Sequence, residues 1–255
     1  MKQRIISGVI IAAAMILTLY FGGTVFDIVM ILLLGQAAKE TASLNRSQML
    51  SKPLFAICFV CSFLVVFYGY SYSLLVILLE PVVLAGLCVF DEKTDFLSAA
   101  TCFFLNMIIS FGFYVMRNLE YTDKFLLGYL LILCCFTDVF ALFTGSRFGK
   151  HKLLERISPK KTIEGFAGGW ILGGLCSFIW ASIFGYFSLG FGLFLVSSLV
   201  LPIVSQIGDL IFSMFKRYFG IKDFSDLIPG HGGILDRFDS ILITALVFGA
   251  IIALI

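Results

Sequence analysis

Residues Ser213 to Asp239 concentrate eight formal charges in a chain of 255 residues of which only 13% are charged. Lys216, Arg217, Lys222 and Arg237 balance Asp223, Asp226, Asp236 and Asp239, and the run Pro229-Gly230-His231-Gly232-Gly233 imposes irregular backbone between them. Just upstream, Ser205, Asp209, Ser213 and Lys216 are spaced to form one polar stripe on an otherwise apolar helix. Such a stripe must face protein, water or ligand rather than lipid. Asp236 and Asp239 share a face at the start of the next helix, and bringing Asp209 toward them gives three carboxylates that repel unless cations bind. Mg²⁺ with nucleotide phosphates fits, because Mg²⁺ is held by one or two carboxylates plus phosphate oxygens, and a two-cation arrangement is compatible. Taken singly, Asp236 with Arg237 or Lys222 with Asp223 are ordinary charges on a wet loop. His231 alone reads as a turn residue and is kept, with Gly232 and Gly233, as a binding candidate.

A second polar region runs from Thr137 to Gly165. It holds Asp138, then Gly145-Ser146-Arg147-Phe148-Gly149-Lys150, then Ser158-Pro159-Lys160-Lys161-Thr162-Ile163-Glu164-Gly165. Six Lys or Arg against Asp138, Glu155 and Glu164 leave it at +3, suited to a triphosphate and a lipid phosphate. The plainer alternative is a basic loop attracted to anionic lipid.

The elements that must position these residues are membrane helices. At 60% hydrophobic, the chain has more apolar surface than a soluble core can absorb, so its solvent is a bilayer. A net charge of +2 gives no footing for nucleic acid. Seven cysteines, all inside apolar runs, read as small buried hydrophobes, and Cys58-x-x-Cys61 has no second pair to make a metal site. The expected class is all-α: a polytopic integral membrane protein of about nine spans, forming one membrane domain over 1–255. Its first five spans lie in 1–120 and the chemistry in 121–255. The spans predicted are Ile5–Phe21, Thr24–Ala38, Pro53–Tyr70, Ser71–Phe90, Phe96–Met116, Phe125–Thr144, Gly165–Phe187, Phe191–Phe215 and Ser240–Ile255. Met1-Lys2-Gln3-Arg4 ahead of an apolar run, with no cleavage site before Gly22-Gly23, reads as an uncleaved first span. With the amino terminus cytoplasmic and the carboxyl terminus outside, sixteen of eighteen Lys and Arg fall inside, leaving Arg117 and Lys124 in an outer loop.

Within the spans, Glu80 before Pro81 is either a hydrogen-bonded or protonated group at a kink or a site residue. Asp27 is interfacial, and Gln36, Lys39 and Glu40 fall on one helical face that reaches toward the cytoplasmic site. Gly165, Gly169 and Gly173, with Gly168 and Gly174 beside them, let a neighbouring helix approach closely. That face serves internal packing or a homodimer.

The whole pattern resembles the phosphatidate cytidylyltransferase (CDP-diacylglycerol synthase) family. Its signature reads Ser, two residues, Lys-Arg, four residues, Lys-Asp, then Pro-Gly-His-Gly-Gly, two residues, Asp-Arg, one residue, Asp, and every fixed position is filled between Ser213 and Asp239. The 137–165 region is similar too, although Leu142 stands where the family usually has Tyr. The resemblance implies transfer of a cytidylyl group from CTP to phosphatidic acid at the cytoplasmic face of the inner membrane. It implies Mg²⁺ on Asp209, Asp236 and Asp239, and substrate phosphates on Lys216, Arg217, Lys222 and Arg237. Further substrate contacts are expected from Ser205, Ser213, Asp223, Asp138, Ser158, Lys160, Lys161, Thr162 and Glu164. The rivals are a CTP-dependent enzyme acting on another lipid, of polyprenol kinase or CDP-archaeol synthase type, and a membrane transporter. A transporter predicts paired broken helices in two halves, and no internal repeat is visible.

Overall fold

The computed structural model describes residues 13–44, 51–90, 96–184, 190–228 and 232–254. The start of the first expected span, and Arg46, Lys93 and His231, lie outside these residues. Helix α1 is described over 13–21 and ends at Gly22-Gly23, both with positive φ. It is followed by α2 (Gly23–Ser43), α3 (Ser51–Tyr68), α4 (Tyr70–Phe90) and α5 (Phe96–Phe148). Strands β1 (Lys152–Leu154) and β2 (Ser158–Thr162), then α6 (Ile163–Ile183), α7 (Phe191–Tyr218) and α8 (Leu235–Ala253), complete the order. Ser71–Phe90, α5, α6 and α7 are long and apolar enough to cross a membrane. Large apolar side chains such as Leu78, Val82 and Leu175 point outward, as lipid-facing residues do when lipid is the solvent.

The expected all-α class holds, and the loop between α5 and α6 adds a small antiparallel hairpin pairing Lys152 with Thr162 and Leu154 with Ser158. Between Phe96–Met116 and Phe125–Thr144 the expected loop is a sharp break between two helical stretches of α5. The helix continues through Arg117 and breaks at a single residue, Asp123 (φ −161°, ψ 109°), whose Oδ1 accepts the Phe125 N–H at 2.9 Å and restarts the helix. Arg117, expected in that loop, is instead tied bidentately to Asp27 at 2.7 and 3.0 Å, with the Tyr121 hydroxyl donating to the same carboxylate at 2.8 Å. Its guanidinium lies 4.7 Å from the ring centroids of Phe67 and Tyr121. Arg117→Gln is expected to cost about 1.5–3 kcal/mol, the range for hydrogen bonds to charged groups, read as a lower melting temperature in detergent.

The chain packs as two compact units, one of Met1–Tyr121 with Asp223–Arg237, the other of Thr122–Lys222 with Phe238–Ile255. The first is built on small and apolar residues of four helices, among them Ala38, Ala42, Leu54, Cys58, Leu84, Ala99 and Cys102. Gly69, with φ +63°, turns α3 into α4 where a Cβ would stand 3.1 Å from the Tyr114 ring. Glu80 is buried and accepts from Asn106 Nδ2 at 2.7 Å, and Asn106 Oδ1 in turn accepts from Ser62. The hydrogen-bonded reading of Glu80 therefore has its partner. All seven cysteines are free.

In the second unit, Tyr129 packs edge-on to Phe194 and against Phe248, and its hydroxyl pairs with Ser198. The glycine face of α6 is filled by the same chain. A Cβ on Gly165, Gly169 or Gly173 would come within 2.7–2.8 Å of Ala141 O, Thr137 O or Thr137 Cα on α5.

Candidate active site

In the second unit, the polar stripe of α7 forms as its spacing requires. Ser213 Oγ donates to Asp209 Oδ1 at 3.3 Å, and Lys161 Nζ meets Asp209 Oδ2 at 2.6 Å. Lys161 reaches it from β2, so the hairpin carries the Ser158-Pro159-Lys160-Lys161-Thr162 block to the helix bearing Asp209. Ser205 and Lys216 are buried on the same helix. Helix α8 crosses α7 at Gly208, where a Cβ would stand 3.2 Å from both Asp239 O and Ser240 Cα. That crossing places Asp239 among Asp209, Lys216 and Asp138, the charges that act on its carboxyl, while its Oδ1 accepts the Ser240 N–H at 2.8 Å.

Several expected substrate contacts have local structural partners. Thr162 is the N-cap of α6, accepting the Gly165 N–H at 3.1 Å. Glu164, in the first turn where an acid suits the helix dipole, accepts N–H groups of Lys150 and His151 and pairs with His151 Nδ1 at 2.6 Å. His151 was absent from the sequence-based set; its only signal was its position opposite an acid across a short basic loop. Arg217 donates to the carbonyls of Ile157 and Ile221, both at 3.3 Å. Ser158 and Lys160 lie on β2, with Lys160 exposed, and Lys222 is exposed beyond the end of α7. Leu142 is 75% exposed.

In the first unit, residues 223–228 and 232–237 surround two carboxylates. Asp236 Oδ2 accepts the N–H groups of Phe224 (2.8 Å) and Gly233 (2.9 Å), and Ile228 pairs with Gly232 across the loop. Gly232 has φ +78°, and a Cβ there would meet Asp236 and Asp223. Glu40, from α2, is buried and also bonded to this loop. A cavity of about 260 Å³ lies beside it, lined by Gln36, Lys39, Glu40, Ser225 and Asp226 among others. Asp223 and Arg237 are exposed.

Asp209 and Asp239 thus belong to one unit and Asp236 to the other. Among the described residues no three His, Cys, Asp or Glu side chains form a group able to hold a metal by themselves.

The model of the cytidylyltransferase family matches residues 2–255. The chain belongs to the cytidylyltransferase family. It is similar to the phosphatidate cytidylyltransferase of Staphylococcus haemolyticus, 34% identical over 251 residues covering 95% of each chain. Those of Staphylococcus aureus (strain COL) and Bacillus subtilis are each 32% identical, covering 95% of this chain and 95% and 94% of their own. In this member of the cytidylyltransferase family, the carboxylates and lysines of the filled signature are therefore the place to look for nucleotide chemistry. Outside that signature, Lys161 balances the partly exposed Asp209 carboxylate.

Proposed function

We propose that this membrane protein transfers a cytidylyl group from CTP to phosphatidic acid, giving CDP-diacylglycerol and pyrophosphate. The observation that carries the reading is the near full-length match to relatives named phosphatidate cytidylyltransferase, together with a signature filled at every position from Ser213 to Asp239. The lipid phosphate monoester attacks the α-phosphorus of CTP in line: a new P–O bond forms, the α–β bridging P–O bond breaks, and pyrophosphate leaves with that electron pair. The nucleophile is already an anion at neutral pH, so no general base is needed. The protein supplies position and charge neutralisation.

Asp209 and Asp239 provide hard oxygen donors of the kind Mg²⁺ takes, and two carboxylates plus phosphate oxygens satisfy it without a third protein ligand. Asp236 is proposed as a further donor from the first turn of α8, and a second cation is compatible with this set. Bound there, Mg²⁺ would neutralise phosphate charge between substrate and leaving group. Lys160, Lys161, Lys216, Arg217, Lys222 and Arg237 bind phosphate oxygens in this scheme. About nine spans, an amino terminus in the cytoplasm and a site on the cytoplasmic face of the inner membrane complete the reading, supported by the distribution of Lys and Arg.

The test is turnover of purified protein in detergent with phosphatidic acid, radiolabelled CTP and Mg²⁺. Labelled CDP-diacylglycerol with equimolar pyrophosphate, lost on chelation, is the expected result. Folded protein that labels no lipid sinks the reading for this acceptor.

A further inference from the structure

Glu40 lies on α2, far in sequence from the signature, and is 1% exposed. A buried carboxylate is tolerated only when donors surround it. Its Oε1 accepts from Gln36 Nε2 (2.9 Å), Ser225 Oγ (2.8 Å) and the Ile234 N–H (2.9 Å), and its Oε2 from the Leu235 N–H (2.9 Å). Leu235 is the first residue of α8, so Glu40 supplies the anion that the unpaired N–H groups and dipole of that terminus favour. The helix has an acid of its own in the first turn, Asp236, but that side chain is turned to Phe224 and Gly233. Together the two carboxylates collect four backbone N–H groups from both arms of the loop. Gly233 bears the imprint of this arrangement. Its φ is not positive, and the three atoms nearest a Cβ there all belong to the Glu40 carboxylate, which it would overlap.

We propose that Glu40 is a positioning residue for cytidylyl transfer, fixing the first turn of α8 and thereby the set of Asp236 and Arg237. This rests on the function proposed above. Glu40 touches no substrate; it acts through the loop. Glu40→Gln keeps the shape but turns an NH2 toward at least one of the backbone donors, so the turn loses its anion and shifts.

The experiment compares wild type, Glu40→Gln, Gly233→Ala and Gly233→Ala/Glu40→Asp by turnover, melting temperature and amide exchange across 224–236. Glu40→Gln is expected to lower kcat at least about tenfold with KM for CTP little changed, because misplaced groups cost turnover more than ground-state affinity. Exchange at 232–236 rises. Gly233→Ala is expected to lose turnover similarly, and Glu40→Asp, which withdraws the carboxylate by one methylene, restores part of it. Wild-type kcat and unchanged exchange in Glu40→Gln would overturn the proposal, as would a Gly233→Ala defect that Glu40→Asp fails to relieve. If Glu40→Gln does not fold, the Gly233→Ala pair decides alone. An inactive wild type defeats the proposed reaction instead, and the exchange data still judge Glu40.

Discussion

Asp239→Asn is expected to lower turnover at least about a hundredfold while the purified protein keeps its melting temperature, the scale seen when one preorganised electrostatic group is removed. The substitution is nearly isosteric. Its amide oxygen can still accept the Ser240 N–H, so the start of α8 keeps that bond. What changes is charge: Asp239 sits among Asp209, Asp138 and Lys216, and neutralising it removes one of the carboxylates proposed to bind the cation. The measurement is labelled CDP-diacylglycerol formed at saturating CTP over a range of Mg²⁺. Activity within threefold of wild type at all Mg²⁺ concentrations would remove Asp239 from the metal set. Asp236→Asn gives the matching contrast. An amide oxygen can hold Phe224 and Gly233 as the carboxylate does, so a loss of turnover without a loss of stability isolates the charge of Asp236 from its loop bonds.

Gly173→Leu is expected to give no folded, monodisperse protein in detergent, judged by gel filtration of a tagged chain. Overpacking a core that can relax costs about 1–3 kcal/mol. Here the atoms met by the first added carbon include Thr137 Cα at 2.8 Å and Thr137 N at 3.0 Å, which are backbone and cannot rotate away. Helices α5 and α6 would have to part along the face where Gly165 and Gly169 also touch α5. Gly192→Leu on α7 is the control, because nothing stands within 4 Å of a Cβ there. A normal elution profile for Gly173→Leu would mean the contact is looser than its geometry.

Apolar runs marked the helices well because bilayer thickness sets a length that composition alone can meet. Ser71–Phe90 was read to within a residue of α4, and Phe191–Phe215 falls three short of α7. Errors arose where polar residues sit inside helices. Arg117 looked like loop because a lone cation in hydrocarbon is costly, and only its pairing with Asp27, 90 residues away, removes that cost. The hairpin of 152–162 was hidden by its charge, which reads the same whether or not strands pair. The stripe from Ser205 to Lys216 was legible because helical spacing is local. How Asp236 would be used was not, since its partners are backbone groups of Phe224 and Gly233 that any side chain could carry. For Glu40, the shared face with Gln36 and Lys39 gave the direction but not the donors.

Glu40 is made long before the groups that bond it. Ser225, Ile234 and Leu235 follow it by 185, 194 and 195 residues. At roughly 5–20 residues per second, the ribosome delivers them about 10–40 s later. Over that interval α2 is already available for insertion with a carboxylate whose only donor in the same helix is Gln36. The first unit therefore matures at the end of synthesis rather than at the beginning. A nascent chain halted before residue 225 would hold an unfinished helix bundle, open to the quality-control proteases of the membrane.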